Sequence, residues 1–366
     1  MSRACRSRRS TASLASSRGE PSPYPFPIAT KSLRCVRPLT PSIPGPRRDS
    51  NGDVVAWDAR TRRPRWRLPA HTPSSGALHV GIEPSSGHIM TQGRDGTLKC
   101  WGTAHGPHEP PRAPPRWTLN AGSYHYCKFT TSGGDASSPG APALVAVAAE
   151  IQSGVDICEI NASIDETSTL NAPPSRVATL IAAADATHAD KTTTSSSESP
   201  PAATEDRLGT VMALAFIPNE DEDPSTSSSM LAAAYEEGTV CVWRIDSSTP
   251  MWRARVHGEA ATCLAVDAVG KGFVSGGADG RCIRHRIIAS DASDENSSIK
   301  VSVIGTHGPF APASVDAAGD VRALCGIAAV AIRDDRKIFA AGCWDGRVRV
   351  FEYGRGSAGR LVASLG

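Results

Sequence analysis

The sequence predicts an all-β protein in which a small antiparallel sheet is repeated around an axis, as the blades of a β-propeller are. The first observation is a repeat: a glycine is followed by Trp at plus five, Pro at plus twelve, Trp at plus fourteen and His at plus nineteen. Its two copies are residues 52–71 and 238–257. The second observation is a glycine turn that recurs before short alternating runs. The third is the spacing between such turns, because Gly52 to Gly96 gives a period of 44 residues, within the ~40 to 45 typical of four-stranded blades.

The recurring turns have a small or acidic residue before the glycine and a large ring five residues after it. The rings are Trp57, Trp101, Trp243, His285 and Phe351. Glycine tolerates positive φ and alternating side chains point to opposite faces, so each turn predicts a tight bend into a half-buried strand. A weaker, slightly displaced copy lies at residues 153–160. The recurrence predicts units that cover each other's apolar faces.

The units follow one another along the chain and are divided at these turns. The first is a fragment made of the Trp57 strand and the strand that contains RWRL. The later units cover about residues 71–120, 121–182, 208–256 and 257–304, and the last begins near residue 321. We therefore expect about five full blades and a fragment.

Residues 49–366 are predicted to form this single propeller domain, whereas residues 1–48 are rich in Arg, Ser and Pro and are predicted to be disordered. The N-terminal composition also resembles a mitochondrial transit peptide. Import is disfavoured because prolines would break its amphipathic helix at Pro21, Pro23, Pro25 and Pro27. Polar, low-complexity loop insertions are predicted at about residues 131–142, 183–206, 219–229, 289–299 and 305–320.

Composition narrows the classes of function. A length of 366 residues with 40% hydrophobic content is enough to bury a core. A net charge of +2 gives no bulk attraction to nucleic acid or membranes, and no apolar run approaches the ~20 residues of a membrane span. The ten cysteines contain no C-x-x-C spacing, so we predict no metal site and no disulfide framework, and interpret them as core residues in a reducing compartment.

A polar network is predicted inside the blades, of the kind that recurs in WD-repeat proteins. A buried Asp at the turn needs donors, and an imidazole, a hydroxyl and an indole N–H can supply them. The predicted members are His71, Thr91, Asp95 and Trp101 in the second unit, His257, Ser275 and Asp279 in the fifth, and Asp345 in the last. His285 stands where Trp is usual.

These residue types also permit a catalytic interpretation, since Ser, His and Asp form nucleophilic triads. The set recurs in a repeated turn, and no hydrolase needs several copies of its triad. No G-x-S-x-G, Walker, G-x-G-x-x-G or H-E-x-x-H motif occurs. We therefore predict that the protein is not an enzyme, and that it has neither catalytic residues nor a cofactor.

Binding is expected at the residues just before the turn acids, which should lie on the rim of one propeller face. These residues are Arg94, Ala278 and Trp344. Trp344 and Arg94 are the candidate partner contacts, with Trp344 as the anchor. The alternative is that Trp344 packs against the adjacent blade.

The region 51–366 resembles the ASTRA-associated protein 1 family of fungal WD-repeat proteins and its animal relative, the G-protein-β-subunit-like protein. The motifs are NGDVVAWDARTRRPRWRLPAH, HIMTQGRDGTLKCW and GIAAVAIRDDRKIFAAGCWDGRVRVF. The resemblance implies a seven-bladed WD40-type β-propeller that acts as a non-enzymatic scaffold. It further implies a nuclear subunit of the ASTRA complex, linked to chromatin remodelling and to the maturation of phosphatidylinositol-kinase-like kinases. Its partners would be protein subunits, with no direct nucleic acid, membrane or small-molecule substrate.

The chain departs from the family pattern at both ends, because the family's first Arg-Gly-His opening and last His-led blade are not found. We therefore expect an open, aggregation-prone arc, and a truncated gene model accounts for this equally well. Alternatives for function are a generic WD40 adaptor such as a ubiquitin-ligase substrate receptor, a propeller enzyme, and a G-protein-β-like signalling subunit. The last would need an N-terminal coiled coil, and residues 1–48 contain no heptads. The cytoplasm is the alternative location.

Overall fold

The computed structural model describes the part of the chain that carries the predicted repeats. The described residues are 52–58, 60–73, 75–83, 87–102, 109–111, 113–121, 126–132, 143–160, 173–181, 208–218, 230–289, 299–310, 325–354 and 359–366. The predicted disorder of residues 1–48 lies outside them, as do most of the predicted insertions. Within these stretches, no helix has the length and apolar character needed to cross a bilayer.

Strands in the described residues form six antiparallel sheets, which we number in chain order. The first sheet pairs β1 (Asp53–Asp58) with β2 (Arg63–Pro69). The other five have four strands each, hydrogen-bonded in chain order. The second sheet contains β3 (Ala77–Ile82), β4 (Ile89–Gly93), β5 (Thr97–Trp101) and β6 (Trp117–Asn120). The third contains β7 (Thr130–Thr131), β8 (Ala143–Ala148), β9 (Gly154–Ile160) and β10 (Ser175–Ile181).

The remaining three sheets repeat this arrangement. The fourth contains β11 (Val211–Ile217), β12 (Met230–Tyr235), β13 (Thr239–Arg244) and β14 (Trp252–Arg255). The fifth contains β15 (Ala261–Val266), β16 (Gly272–Gly277), β17 (Cys282–Ala289) and β18 (Ile299–His307). The sixth contains β19 (Ile327–Ile332), β20 (Ile338–Cys343), β21 (Val348–Glu352) and β22 (Leu361–Leu365).

The predicted all-β repeat architecture is confirmed. The recurrent rings of four sheets lie in equivalent third strands, namely Trp101 in β5, Trp243 in β13, His285 in β17 and Phe351 in β21. Trp57 lies in β1, which pairs with a single partner strand in the described residues. The first unit is therefore a fragment there, and the five later units are complete four-stranded sheets.

The two copies of the 20-residue repeat make the same backbone contacts. Gly52 and Gly238 have positive φ angles of 66° and 82°. Their carbonyls accept the N–H groups of His71 at 3.0 Å and His257 at 3.1 Å. A Cβ on either glycine would collide with the carbonyl oxygen of the same histidine. Glycine is therefore required at both positions, by conformation and by close approach.

The buried apolar residues form five clusters in the described part of the chain, and each cluster is shared by two neighbouring sheets. They join first to second, second to third, third to fourth, fourth to fifth and fifth to sixth. The first strands β11, β15 and β19 contact one another in succession, which places first strands at the inner side of the arrangement. Each sheet thus completes its core only with a neighbour.

Three predicted insertions overlap strands at their ends. Ala289 ends β17 and Ile299 begins β18, so the segment at 289–299 starts and finishes in strand. The segment at 305–320 begins with three further residues of β18, because His307 still pairs with Cys282. The strand at 130–131 likewise includes the first residue of the segment at 131–142.

Candidate functional site

Four sheets carry the same backbone hydrogen bond where the second strand turns into the third. In each, the residue before the turn acid donates its N–H to a carbonyl just ahead of the first strand. The pairs are Arg94 to Gly76 at 3.2 Å, Glu236 to Thr210 at 2.9 Å, Ala278 to Ala260 at 2.8 Å and Trp344 to Gly326 at 2.9 Å. The four donors are equivalent positions on one edge of the sheets, which we call the turn face.

The second sheet brings its four predicted network residues together beneath the turn face. His71 Nδ1 lies 3.0 Å from Asp95 Oδ2, and its Nε2 lies 3.0 Å from Thr91 Oγ1. Trp101 Nε1 donates to the same hydroxyl at 2.9 Å. The hydroxyl accepts from the indole, so it donates to His71 Nε2, and Nδ1–H donates to the carboxylate. Thr97, which the sequence interpretation missed, donates its hydroxyl to Asp95 at 2.6 Å.

The fifth sheet holds an equivalent network with one replacement. His257 Nδ1 lies 3.1 Å from Asp279 Oδ1, and its Nε2 lies 2.8 Å from Ser275 Oγ. His285 Nε2 lies 3.0 Å from the same hydroxyl, in the place that Trp101 occupies in the second sheet. The His285 ring stacks on Phe273 with centroids 4.3 Å apart. Its Nδ1 is buried without a hydrogen-bond partner in the described structure.

Burial keeps these imidazoles neutral. Desolvation lowers the pKa of His71 and of His257 below 6.5, although the neighbouring carboxylates act in the opposite direction. Desolvation also lowers the pKa of His285 to about 3. These hydrogen bonds need neutral rings, because a neutral imidazole has one nitrogen that donates and one that accepts. In His71 and His257, Nδ1–H donates to the carboxylate and Nε2 accepts from the hydroxyl.

His71 and His257 link neighbouring sheets. The backbone N–H of His71 bonds to the first sheet while its ring bonds to the second, and His257 connects the fourth and fifth in the same way. Room for each ring depends on a glycine two residues before the turn acid. A Cβ on Gly93 or Gly277 would collide with the histidine Nδ1.

The Ser275, His257 and Asp279 side chains are connected in the order of a nucleophilic triad. Ser275 is 0% exposed, and its hydroxyl also accepts a hydrogen bond from His285. No substrate carbonyl can reach a hydroxyl enclosed in this way. The arrangement therefore acts as an internal hydrogen-bond chain.

The sixth sheet satisfies its turn acid differently. Asp345 accepts hydrogen bonds from Arg349 at 2.7 and 3.2 Å, and this contact lowers the pKa of Asp345 to about 2. Cys343 occupies the position of Gly277, and the thiols of Cys325 and Cys343 lie within 4.8 Å of each other and of the Asp345 carboxylate. Spacing along the sequence gave no signal for this cluster.

This cysteine cluster is a poor fit for a metal ion. A metal needs free carboxylate oxygens and thiolates. Arg349 already bonds both oxygens of Asp345, and burial raises the pKa of Cys343. The thiols of Cys325 and Cys343 instead pack as small apolar groups beside the Asp345–Arg349 ion pair.

Trp344 and Arg94 lie at the turn face as exposed side chains. Trp344 is 58% exposed, and its ring lies against Gly326 of its own sheet, where an added Cβ would be 2.6 Å from the ring. The Arg94 guanidinium lies over the ring of Tyr126, 4.9 Å from its centroid. Ala278, at the equivalent position, is partly buried.

Comparisons with known proteins agree with this architecture. Residues 320–352 match the family described as "WD domain, G-beta repeat". The chain is 29% identical over 147 residues to ASTRA-associated protein 1 of Verticillium alfalfae, covering 39% of this chain and 31% of that protein. It is 31% identical over 124 residues to guanine nucleotide-binding protein subunit beta-like protein 1 of Mus musculus, covering 34% and 32%. The matches thus span about a third of either relative, and they confirm the predicted resemblance.

Solved structures support the fold. The β-propeller domain of Myceliophteria thermophila Cps50 (Swd1) superposes with a TM-score of 0.53 at 16% identity, covering 86% of this chain and 80% of that one. Chaetomium thermophilum Sqt1, solved bound to the N-terminus of ribosomal protein L10, superposes with a TM-score of 0.52 at 14% identity, covering 88% and 69%. The fold is a WD40-type β-propeller fold.

Proposed function

We propose that this WD-repeat protein is a non-enzymatic scaffold, a subunit of the nuclear ASTRA assembly with roles in chromatin remodelling and in the maturation of phosphatidylinositol-kinase-like kinases. Similarity to ASTRA-associated protein 1 over part of its length supports the assembly. The complete burial of the Thr91 and Ser275 hydroxyls in the two triad-like sets supports a scaffold over a catalyst. Protein subunits are the partners, and neither a cofactor nor a metal ion enters the proposal.

The observation that carries the proposal is an exposed tryptophan that is held in place. Trp344 keeps 58% of its surface exposed while its ring rests on the flat backbone of Gly326. A large side chain that is already ordered loses little entropy on binding, and tryptophan is enriched among residues that dominate interface energies. Trp344 is therefore the anchor of the proposed partner site, and Arg94 is a second contact on the same face.

The networks of the second and fifth sheets have a supporting role in this proposal. His71 and His257 each hold two sheets together directly below the turn face. The four residues of the second-sheet network are hydrogen-bonded to one another, and buried networks of this kind fix one geometry of a core. The proposed network residues therefore keep the turn-face positions at constant spacing, so that a partner meets a preformed surface.

Affinity purification of the tagged full-length protein, with identification of what remains bound, tests the proposal. We expect ASTRA subunits with the wild-type protein, and recovery reduced at least about tenfold for Trp344→Ala. Val303→Ala is the matched control, because Val303 is an equally exposed apolar residue on the outer strand β18, and it should retain the partners.

Two results would overturn the proposal. Recovery of cullin-type ligase components in place of ASTRA subunits supports a ubiquitin-ligase adaptor. Absence of a stable partner, together with turnover of a small substrate, supports an enzyme.

A second variant separates the position of the tryptophan from its presence. Gly326→Ala leaves Trp344 in the sequence but places a methyl group where its ring lies. We expect this variant to remain folded and to lose partners in proportion to the displacement, which tryptophan fluorescence reports. Full retention of partners with a displaced ring would remove Trp344 as the anchor.

A further inference from the structure

A cavity of about 710 Å³ lies between the fifth and sixth sheets, away from the turn face. Its lining comes from the β15–β16 turn and the third and fourth strands of the fifth sheet. The sixth sheet contributes the β19–β20 turn and the two residues after β21. Cavities of this size are in the range that holds small ligands, roughly 300 to 1,000 Å³. None of the turn-face residues lines it.

The cavity is rich in cationic side chains. Lys271, Arg284, Arg286 and Arg336 all line it. Arg286 and Arg336 are exposed to solvent, so they can reach a ligand at the mouth without a change of fold. Arginine and lysine at several points around one concave surface concentrate positive potential there.

The two carboxylates of the lining are already committed to other groups. Asp267 accepts the Tyr353 hydroxyl at 3.0 Å and the backbone N–H of Lys271 at 3.0 Å. Asp335 forms a double contact with Arg333, at 2.8 and 2.6 Å. Asp267 keeps its negative charge, because the Tyr353 hydroxyl and the backbone N–H are neutral donors. Four cationic side chains of the lining nevertheless face two carboxylates, one of which is paired with Arg333, so the cavity carries net positive charge.

Arg284 is the strongest sign of a missing counter-charge. Its side chain is 1% exposed, and it bonds through Nη2 to the carbonyls of Tyr353 and Gly354. Its Nε and Nη1 atoms have no hydrogen-bond partner in the described structure, and the nearest compensation is the Tyr353 ring, whose centroid lies 5.4 Å from the guanidinium. Burial lowers the pKa of Arg284. A buried guanidinium without a carboxylate is costly, and an anion next to it would offset that cost.

We propose that this cavity, which we call the basic cavity, binds a compact anion that carries two or more phosphoryl groups. Arg286 and Arg336 contact the phosphoryl oxygens, and Arg284 supplies a fixed positive charge in the wall. Guanidinium groups match phosphate oxygens in pairs, and three arginines exceed what one phosphate needs. Lys271 adds a fourth positive charge at the same opening.

Calorimetric titration of the full-length protein with pyrophosphate tests the site. We expect one bound pyrophosphate per chain, a rise in Tm on binding, and affinity reduced about tenfold or more in the double variant Arg286→Gln/Arg336→Gln. Both residues are exposed, so the variant should keep the fold. Arg255→Gln, on the outer strand β14, removes an exposed positive charge elsewhere and should change the affinity less than about twofold.

Several outcomes decide against the proposal. Absence of pyrophosphate binding to the wild-type protein overturns it, as does equal weakening by Arg255→Gln, which would indicate nonspecific attraction to positive charge. Citrate carries comparable charge on carboxylates. Citrate binding as tight as that of pyrophosphate would contradict the phosphoryl class, and inorganic phosphate binding equally tightly would contradict the requirement for two groups.

Discussion

The fifth and sixth sheets build the same turn with different chemistry. In the fifth, Asp279 pairs with the His257 ring, which arrives from the preceding connection and also bonds Ser275. In the sixth, Asp345 pairs with Arg349 of its own sheet. The first solution links two sheets by hydrogen bonds of one histidine. In the second the donor to the acid comes from the same sheet, and Arg349 meets the connection through the ring of Phe310, whose N–H bonds to Gly280. The turn thus needs an acid with hydrogen-bond donors, whereas the choice of donor decides whether hydrogen bonds or a ring contact couple the neighbouring sheets.

The residue two positions before the turn acid explains why one sheet does not combine the histidine and arginine arrangements. Gly277 leaves space for the His257 ring. In the sixth sheet Cys343 stands at that position, and the connection supplies Phe310 in place of a histidine, with its N–H bonded to Gly280. A side chain at this position and a histidine from the connection exclude each other.

The largest effect is expected from removing the histidine of the fifth sheet. His257→Leu leaves Asp279 buried and Ser275 without its acceptor, and should lower the free energy of unfolding by about 3–5 kcal/mol. Arg349→Leu in the sixth sheet should cost less, about 1–2 kcal/mol, because Asp345 is only partly buried and leucine can still pack on the Phe310 ring. Urea unfolding of both variants measures the difference. Equal losses would remove the distinction between the two solutions.

The next largest effect is expected from adding a methyl group at Gly277, two residues before the turn acid of the fifth sheet. Gly277→Ala places a methyl group against His257 Nδ1 and Asp279, and should destabilise the protein by about 2–3 kcal/mol through overpacking. Cys343→Ala, at the equivalent position, only removes a sulfur atom and should cost about 1 kcal/mol. Thermal and urea unfolding provide the measurement. A tolerated alanine at 277 would show that the ring has more freedom than its contacts imply.

As the pH falls, the histidine networks should lose stability before the Asp345–Arg349 ion pair does. The pKa of His257 is lower in the folded protein than its ordinary 6.5, so the unfolded chain takes up the proton first. The free energy of unfolding then falls as pH drops below 6.5, by up to about 1.4 kcal/mol per pH unit for each such histidine. Asp345, with a folded pKa of about 2 against 3.8, contributes stability above pH 3.8 that is lost only as the pH approaches 2.

Urea unfolding between pH 4.5 and 8 separates these contributions. Stability should decline across the acid half of this range for the wild-type protein and decline less for His257→Leu. A flat profile for the wild-type protein would contradict the neutral, buried state of the rings.

The smallest effect is expected from restoring the usual residue in β17. His285→Trp can donate its indole N–H to Ser275, as Trp101 does to Thr91 in the second sheet. We expect a change within about 1 kcal/mol at pH 7, and a weaker decline in acid because the histidine with a pKa of about 3 is gone. A large loss would mean that stacking on Phe273 requires the smaller ring.

Much of this fold could be predicted from the sequence because its strongest signals are local. The glycine at 238 and the ring at 243 fix a turn and a strand within six residues, and the same spacing at 280 and 285 identifies a second copy. The network acids follow from the same turns. Trp344 was identifiable because it stands directly before such an acid.

The basic cavity and the cysteine cluster could not be predicted, because both depend on contacts between distant residues. Arg284 stands between Ile283 and His285 in β17, and all three are buried. Alternation would assign one face of that strand to solvent, whereas a propeller blade has neighbours on both faces. Cys325 and Cys343 meet only because β19 and β20 pair.

His71 and His257 each bond to one sheet by the backbone and to the next sheet by the ring. The unit that repeats in the sequence therefore begins and ends at different residues from the four-stranded sheet. The stretch from Gly52 to His71 begins and ends with the same bonds as that from Gly238 to His257. Each stretch can therefore be exchanged for the other without changing the hydrogen bonds at its two ends. Insertion, duplication or grafting of material in this chain would succeed when cut at these glycine and histidine borders, and not at the borders of whole sheets.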